Sequence, residues 1–89
     1  MTNLMAIVHR APVLTSRIGL AVSRKVGNAV HRNKVKRWIR EASRRSYSLL
    51  SGAWDIVFIA HAGASDAGFD SISSEVRRVF QRVAEMKRS

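Results

Sequence analysis

Apolar positions along this chain alternate between two periods. Leu4 to His9 is a short, partly β-branched apolar run and predicts a strand. Ala11 to Ser16 holds the only proline, Pro12, and reads as a connection. Arg17 to Ser23 alternates, with Ile18, Leu20 and Val22 pointing one way and Arg17, Gly19, Ala21 and Ser23 the other. This predicts a second strand with one bulky apolar face. Its small-residue face is either open to a ligand or covered by a neighbour. Arg24 to Asn28 is a loop punctuated by Gly27, and Asn28 is suited to cap a helix. From there Val35, Trp38, Ile39 and Ala42 fall at i, i+3, i+4 and i+7, one stripe of an α-helix, and Leu49 extends it. Gly52 is placed to stop that helix. Trp54 to His61 is apolar on both faces and predicts a third strand covered on both sides. Ala62 to Phe69 is a small-residue loop. Asp70 or Ser71 then caps a second helix, with Ile72, Val76, Val79, Phe80 and Val83 on one face.

The order strand, strand, helix, strand, helix predicts an α/β (α+β) two-layer sandwich, a small sheet with two helices packed on it. A chain of 89 residues supports one core, so a single domain spanning 1–89 is expected.

Charge changes the picture. Sixteen Lys and Arg against six Asp and Glu give a net charge of +10. Nine of those sixteen lie between Arg24 and Arg45 (Arg24, Lys25, Arg32, Lys34, Lys36, Arg37, Arg40, Arg44, Arg45), against one acid, Glu41. With Arg32 at zero on a helical wheel, Lys36, Arg40 and Arg44 follow at about 40°, 80° and 120°, and Arg37 at about 140°. The predicted helix therefore buries one side and presents a column of cations on the other, with rungs about 5–6 Å apart. Arg offers a planar fork of donors for phosphate or a base edge. Asn33 lies within the basic face and both donates and accepts. Like charges at i, i+4 repel, so this column points to a polyanion partner: nucleic acid ahead of a membrane surface or an acidic protein.

Other chemistry is thin. The absence of cysteine rules out disulfides, thiolate metal sites and thiol nucleophiles, and fits a reducing compartment. The apolar stretch Ile56 to Ala60 is far shorter than the roughly 20 residues of a spanning helix. The N-terminus lacks a signal-peptide pattern. A cytoplasmic protein with no membrane association is expected. His9, His31 and His61 lack metal-ligand spacing. The acids are scattered, with no visible carboxylate pair or two-metal centre. Asp55 either ends a turn or pairs with an Arg. Trp38 and Phe80 fall in apolar stripes and read as core. Trp54, at a strand start, is open to core or stacking roles. No catalytic and no metal-binding residue is expected in this chain.

The run from Arg17 to Ala42 closely resembles the signature of the bacterial ribonuclease P protein subunit family. There, a strand ending V-S-K-K leads to V-G-N-A-V and then to R-N-R-x-K-R on a helix. Val22-Ser23-Arg24-Lys25, Val26-Gly27-Asn28-Ala29-Val30 and Arg32-Asn33-Lys34-Val35-Lys36-Arg37 match these three parts. The resemblance implies a protein that assists a catalytic RNA in removing the 5′ leader of precursor tRNA, the RNA performing the hydrolysis with Mg²⁺ bound mainly by itself. It implies that Arg32, Asn33, Lys34, Lys36, Arg37 and Arg40 bind the catalytic RNA, with Arg24, Lys25 and Asn28 in the preceding loop as further candidates. It also implies precursor tRNA contact through a cleft, a monomer within the ribonucleoprotein, and a fold like ribosomal protein S5 domain 2 with a left-handed βαβ crossover. Physics alone would favour the right-handed one. Two departures stand out. Lys34 replaces the usual second Arg, which keeps the charge and loses the bidentate fork. The chain also starts near the family's first strand, so the family's N-terminal helix, with the aromatic residues that help wall the leader cleft, is expected to be absent. The competing reading is a non-enzymatic RNA- or ribosome-binding module of the same fold.

Overall fold

Three strands and two long helices form in the predicted order: β1 (Leu4–Arg10), β2 (Arg17–Val22), α1 (Ala29–Ser46), β3 (Trp54–Ala60) and α2 (Ala64–Met86). The computed structural model describes residues 3–11, 14–50 and 52–86. Pro12 lies outside them.

The sheet order is β1-β3-β2. β3 pairs antiparallel with β1 and parallel with β2. Parallel neighbours cannot be joined by a tight hairpin, and α1 supplies the crossover between β2 and β3. Registry aligns Ala6, Phe58 and Leu20 across the three strands, with Val8, Ile56 and Ile18 in the next row. This face meets Val35, Ile39 and Ala42 of α1 and Ile72, Val76, Phe80 and Val83 of α2 in one core. The rings of Phe58 and Phe80 stack with centroids 6.1 Å apart. Trp38 is half-buried and meets Phe69 edge-on at 6.4 Å. Trp54 is buried, and the Arg10 guanidinium lies 5.3 Å from the centre of its ring.

Three expectations are corrected. β3 is not covered on both sides: both helices lie on one face, leaving Val57 and Ile59 half-buried and Met5 and Ile7 exposed on the other. Two helices cover the centre of one face of this three-stranded sheet, and β3 gains its remaining cover from β1 and β2. The first helix ends at Ser46 and tightens into a 3₁₀ turn, Tyr47–Leu49, which rotates Leu49 off the apolar stripe to 40 % exposure. Gly52 therefore serves the connection to β3 rather than the helix stop. The predicted loop before the last helix is itself mostly helical. One turn starts at Ala64, the chain breaks at Gly68 (φ 85°, ψ 166°), and helix resumes ahead of both predicted caps, Asp70 and Ser71. A Cβ at Gly68 would meet nothing, so glycine is used there for its backbone freedom.

On the uncovered face the Arg17 guanidinium donates two 2.7 Å hydrogen bonds to the Asp55 carboxylate. Asp55 thus pairs with an Arg, and that hydrogen bonding, more than the charge itself, holds its carboxyl below its ordinary 3.8. Because the folded value lies below the unfolded one, the pair stabilises fully above pH 4 and fades as pH falls through the folded value. Asp55→Asn should therefore lower the melting temperature slightly at pH 7, with an effect that shrinks progressively as pH is lowered below 4, as read by thermal melts across that range.

Candidate nucleic-acid interface

The segment entering α1 is shaped by local hydrogen bonds. Ser23 Oγ accepts from Lys25 N at 3.2 Å, Val26 N donates to Ser23 O at 3.0 Å, and Gly27 N to Arg24 O at 3.3 Å. Val26 is buried and pins this 3₁₀ turn to the core, which presents Arg24 and Lys25 to solvent. Gly27 has φ 148°, and a Cβ there would sit 3.0 Å from His31 Cβ, so glycine lets the chain turn tightly onto the helix. Asn28 Oδ1 accepts from His31 N at 3.1 Å. The residue carried over as an RNA ligand thus uses its carbonyl as the helix cap the sequence also predicted.

Along α1 the buried positions are Val35, Ile39, Ala42, Ser43 and Ser46. The stripe is therefore shifted toward the Arg32 column. Arg32 and Lys36 are half-buried on its flank, whereas Asn33, Arg37, Arg40 and Arg44 are exposed. Lys34 falls on the other flank, about 160° from Arg32 on a regular helix. It shares that side with Glu41 and Arg45. The ridge thus consists of Arg32, Asn33, Lys36, Arg37 and Arg40, with Arg24 and Lys25 at its head and Lys34 around the corner.

Its electrostatics are one-sided. Glu41 accepts from Arg44 at 2.6 Å and pairs with Arg45 at 3.3 Å, and these contacts, the Arg44 hydrogen bond foremost, hold its carboxyl below the usual range. Among the described residues, none of Arg24, Lys25, Arg32, Lys34, Lys36, Arg37 and Arg40 has an acidic partner. The first turn of α1 has no acid either. Cations at a helix N-terminus oppose the helix dipole at a cost of about 0.3–1 kcal/mol each. An anionic ligand reverses that cost. Phosphates along a nucleic-acid strand are such a ligand, and their affinity rises as bound counterions are released.

Two residues of this region stand outside the site expected from the sequence. Ser43 and Tyr47 line a groove between α1 and β2, together with Ile18, Leu20, Arg40 and Arg44. A serine three residues before another, Ser43 and Ser46, on the buried side of a helix was the available clue. Among the described residues no carboxylate cluster fits a magnesium site. That ion takes carboxylate oxygens and waters, and among the described residues no group of three or more His, Cys, Asp or Glu could hold a metal. Among the same residues no helix is long and apolar enough to cross a membrane.

The sequence pattern of the Ribonuclease P family matches residues 2–84. The ribonuclease P protein component of Herpetosiphon aurantiacus is 35% identical over 80 residues, covering 88% of this chain and 65% of that protein. That of Exiguobacterium sibiricum is 43% identical over 72 residues, covering 81% and 62%. The chain thus spans a little over three-fifths of the length of these relatives. Among solved structures, the Thermotoga maritima RNase P protein superposes with a TM-score of 0.77 at 30% identity, covering 89% of this chain and 76% of that one. A Staphylococcus aureus RNase P protein gives 0.71 at 30%, covering 98% and 76%.

Proposed function

The chain belongs to the ribonuclease P protein family, and from that premise we propose that it binds the catalytic RNA of ribonuclease P through the α1 ridge and so assists removal of the 5′ leader from precursor tRNA. One observation carries this reading: a row of cations on one helix face that finds no acid within the described protein. Arg32, Arg37 and Arg40 grip phosphates as forks, Lys36 and Lys34 act as point charges, and Asn33 reads a base edge or sugar. Arg24 and Lys25 extend the contact along the strand, while Asn28 holds the helix start in place. The protein supplies no reacting group. Mg²⁺ belongs to the RNA, which performs the hydrolysis, and the protein helps by screening the repulsion between two polyanions. The uncovered sheet face, with Met5, Ile7 and Val57, supports a path for the leader. The unit acts as one domain and as a monomer within the ribonucleoprotein.

The test is reconstitution with the catalytic RNA of the same organism, reading precursor-tRNA cleavage at low Mg²⁺. Stimulation by the protein is expected. No stimulation at any protein concentration, with RNA binding intact, overturns the reading in favour of a plain RNA-binding module.

A further inference from the structure

The groove beside the ridge has a composition the ridge does not need. It measures about 590 Å³ and lies along β2, the strand whose outer edge has no partner among the described residues. Ile18 and Leu20 give it apolar walls. Tyr47 stands at its side with the hydroxyl donating to the Ser16 carbonyl at 2.8 Å, which fixes the ring in place. Arg40 and Arg44 form the rim. Ser43 is only 4 % exposed, and its hydroxyl has no hydrogen-bond partner among the described residues. Buried hydroxyls are normally satisfied.

Apolar walls, one aromatic side, a hydroxyl that both donates and accepts, and a cationic rim are together the requirements of an unstacked nucleotide. Its base has apolar faces and a polar edge, and its phosphate is anionic. An apolar peptide segment would leave the guanidinium of Arg40 without a partner and Ser43 unsatisfied. Arg40 also belongs to the ridge, one helical turn from Lys36, so a strand running along α1 passes the groove mouth.

We propose that this groove takes a single unpaired nucleotide of the RNA held by α1, the base lying against Ile18, Leu20 and Tyr47, its edge hydrogen-bonded to Ser43 and its phosphate on Arg40. The proposal rests on α1 being the RNA-binding surface. It adds a base-reading pocket to a phosphate-reading ridge, and with it a preference for one unpaired position in the RNA.

The test uses the full chain with the catalytic RNA of the same organism, reading affinity, salt dependence and chemical reactivity of base edges. Ile18→Trp fills the groove and removes no charge. It should lower RNA affinity about tenfold with an unchanged salt slope, and should expose one base that the unaltered protein shields from modification. Ser43→Ala keeps the shape and removes the hydroxyl. It should lower affinity several-fold while the melting temperature stays level or rises, because an unsatisfied buried hydroxyl is lost. Arg37→Ala, on the ridge outside the groove, reports on the underlying reading: it should weaken binding and reduce the slope. If Arg37→Ala weakens binding while Ser43→Ala and a folded Ile18→Trp bind as the unaltered protein does, the groove is no nucleotide site. If the same bases are shielded by all three proteins, the proposal is likewise overturned. If Arg37→Ala is without effect, it is the ridge reading that fails.

Discussion

Phe58→Ala will remove a large share of the stability of this protein. Phe58 sits at the centre of the central strand, fully buried, with Ala6 and Leu20 beside it in register and Phe80 stacked over it from α2. Emptying such a site loses the transfer energy of the ring and leaves a cavity, about 3–5 kcal/mol together. A small domain has about 5–15 kcal/mol in all. Each kcal/mol shifts the melting temperature of a domain this size by roughly 4–8 °C, so a drop well beyond ten degrees is expected in a thermal melt followed by circular dichroism. The neighbouring position supplies the contrast. Ile59 points to the uncovered face and is half-buried, so Ile59→Ala should cost only about 1 kcal/mol. Equal losses at the two positions would mean that the second face is covered after all.

That contrast also marks where the sequence was legible and where it was not. Strict alternation in β2 announced both its inner face (Ile18, Leu20, Val22) and its small outer one (Gly19, Ala21), because a strand's period is short and a few residues define it. β3 misled, since Val57 and Ile59 are as apolar as the residues that are truly buried. Periodicity records hydrophobicity, and which face receives the helices is settled by the whole sheet. The ridge was legible for a different reason: charge and a cap residue, Asn28, are both local properties. Its flank was not. Ser43 and Ser46 join the buried stripe although neither is apolar, Ser43 beside β2 and Ser46 beside α2, and no hydropathy pattern registers that. Arg32 and Lys36 are half-buried on the flank of that stripe, which a wheel drawn on sequence does not show. Ala62 to Phe69 reads as loop because it is rich in small residues, yet Ala64 is fully buried and starts a helical turn ahead of the break at Gly68.

Removing the ridge should separate binding from folding more sharply than any other change. In the triple variant Arg32→Ala, Arg37→Ala and Arg40→Ala, three guanidinium groups without acidic partners among the described residues are replaced by the best helix former. Relief of like-charge repulsion offsets the lost packing of the half-buried Arg32 stem, so the melting temperature should move by only a few degrees. RNA binding should fall by two or more orders of magnitude, since each charge-assisted contact contributes about 1.5–3 kcal/mol. Each lost phosphate contact also removes about 0.7–0.9 from the slope of log affinity against log salt, so the triple variant should flatten that slope by about 2–3. Arg77→Ala with Arg78→Ala is the control: it removes two cations from α2, one of them held by Glu75 at 3.0 Å, and acts only through net charge. If that pair weakens binding as much as the triple variant does, affinity follows the overall field of a protein carrying +10, and α1 is no interface. A steep, ridge-specific loss with the fold intact places the contact on one helix face, because a diffuse field has no reason to depend on which arginines are removed.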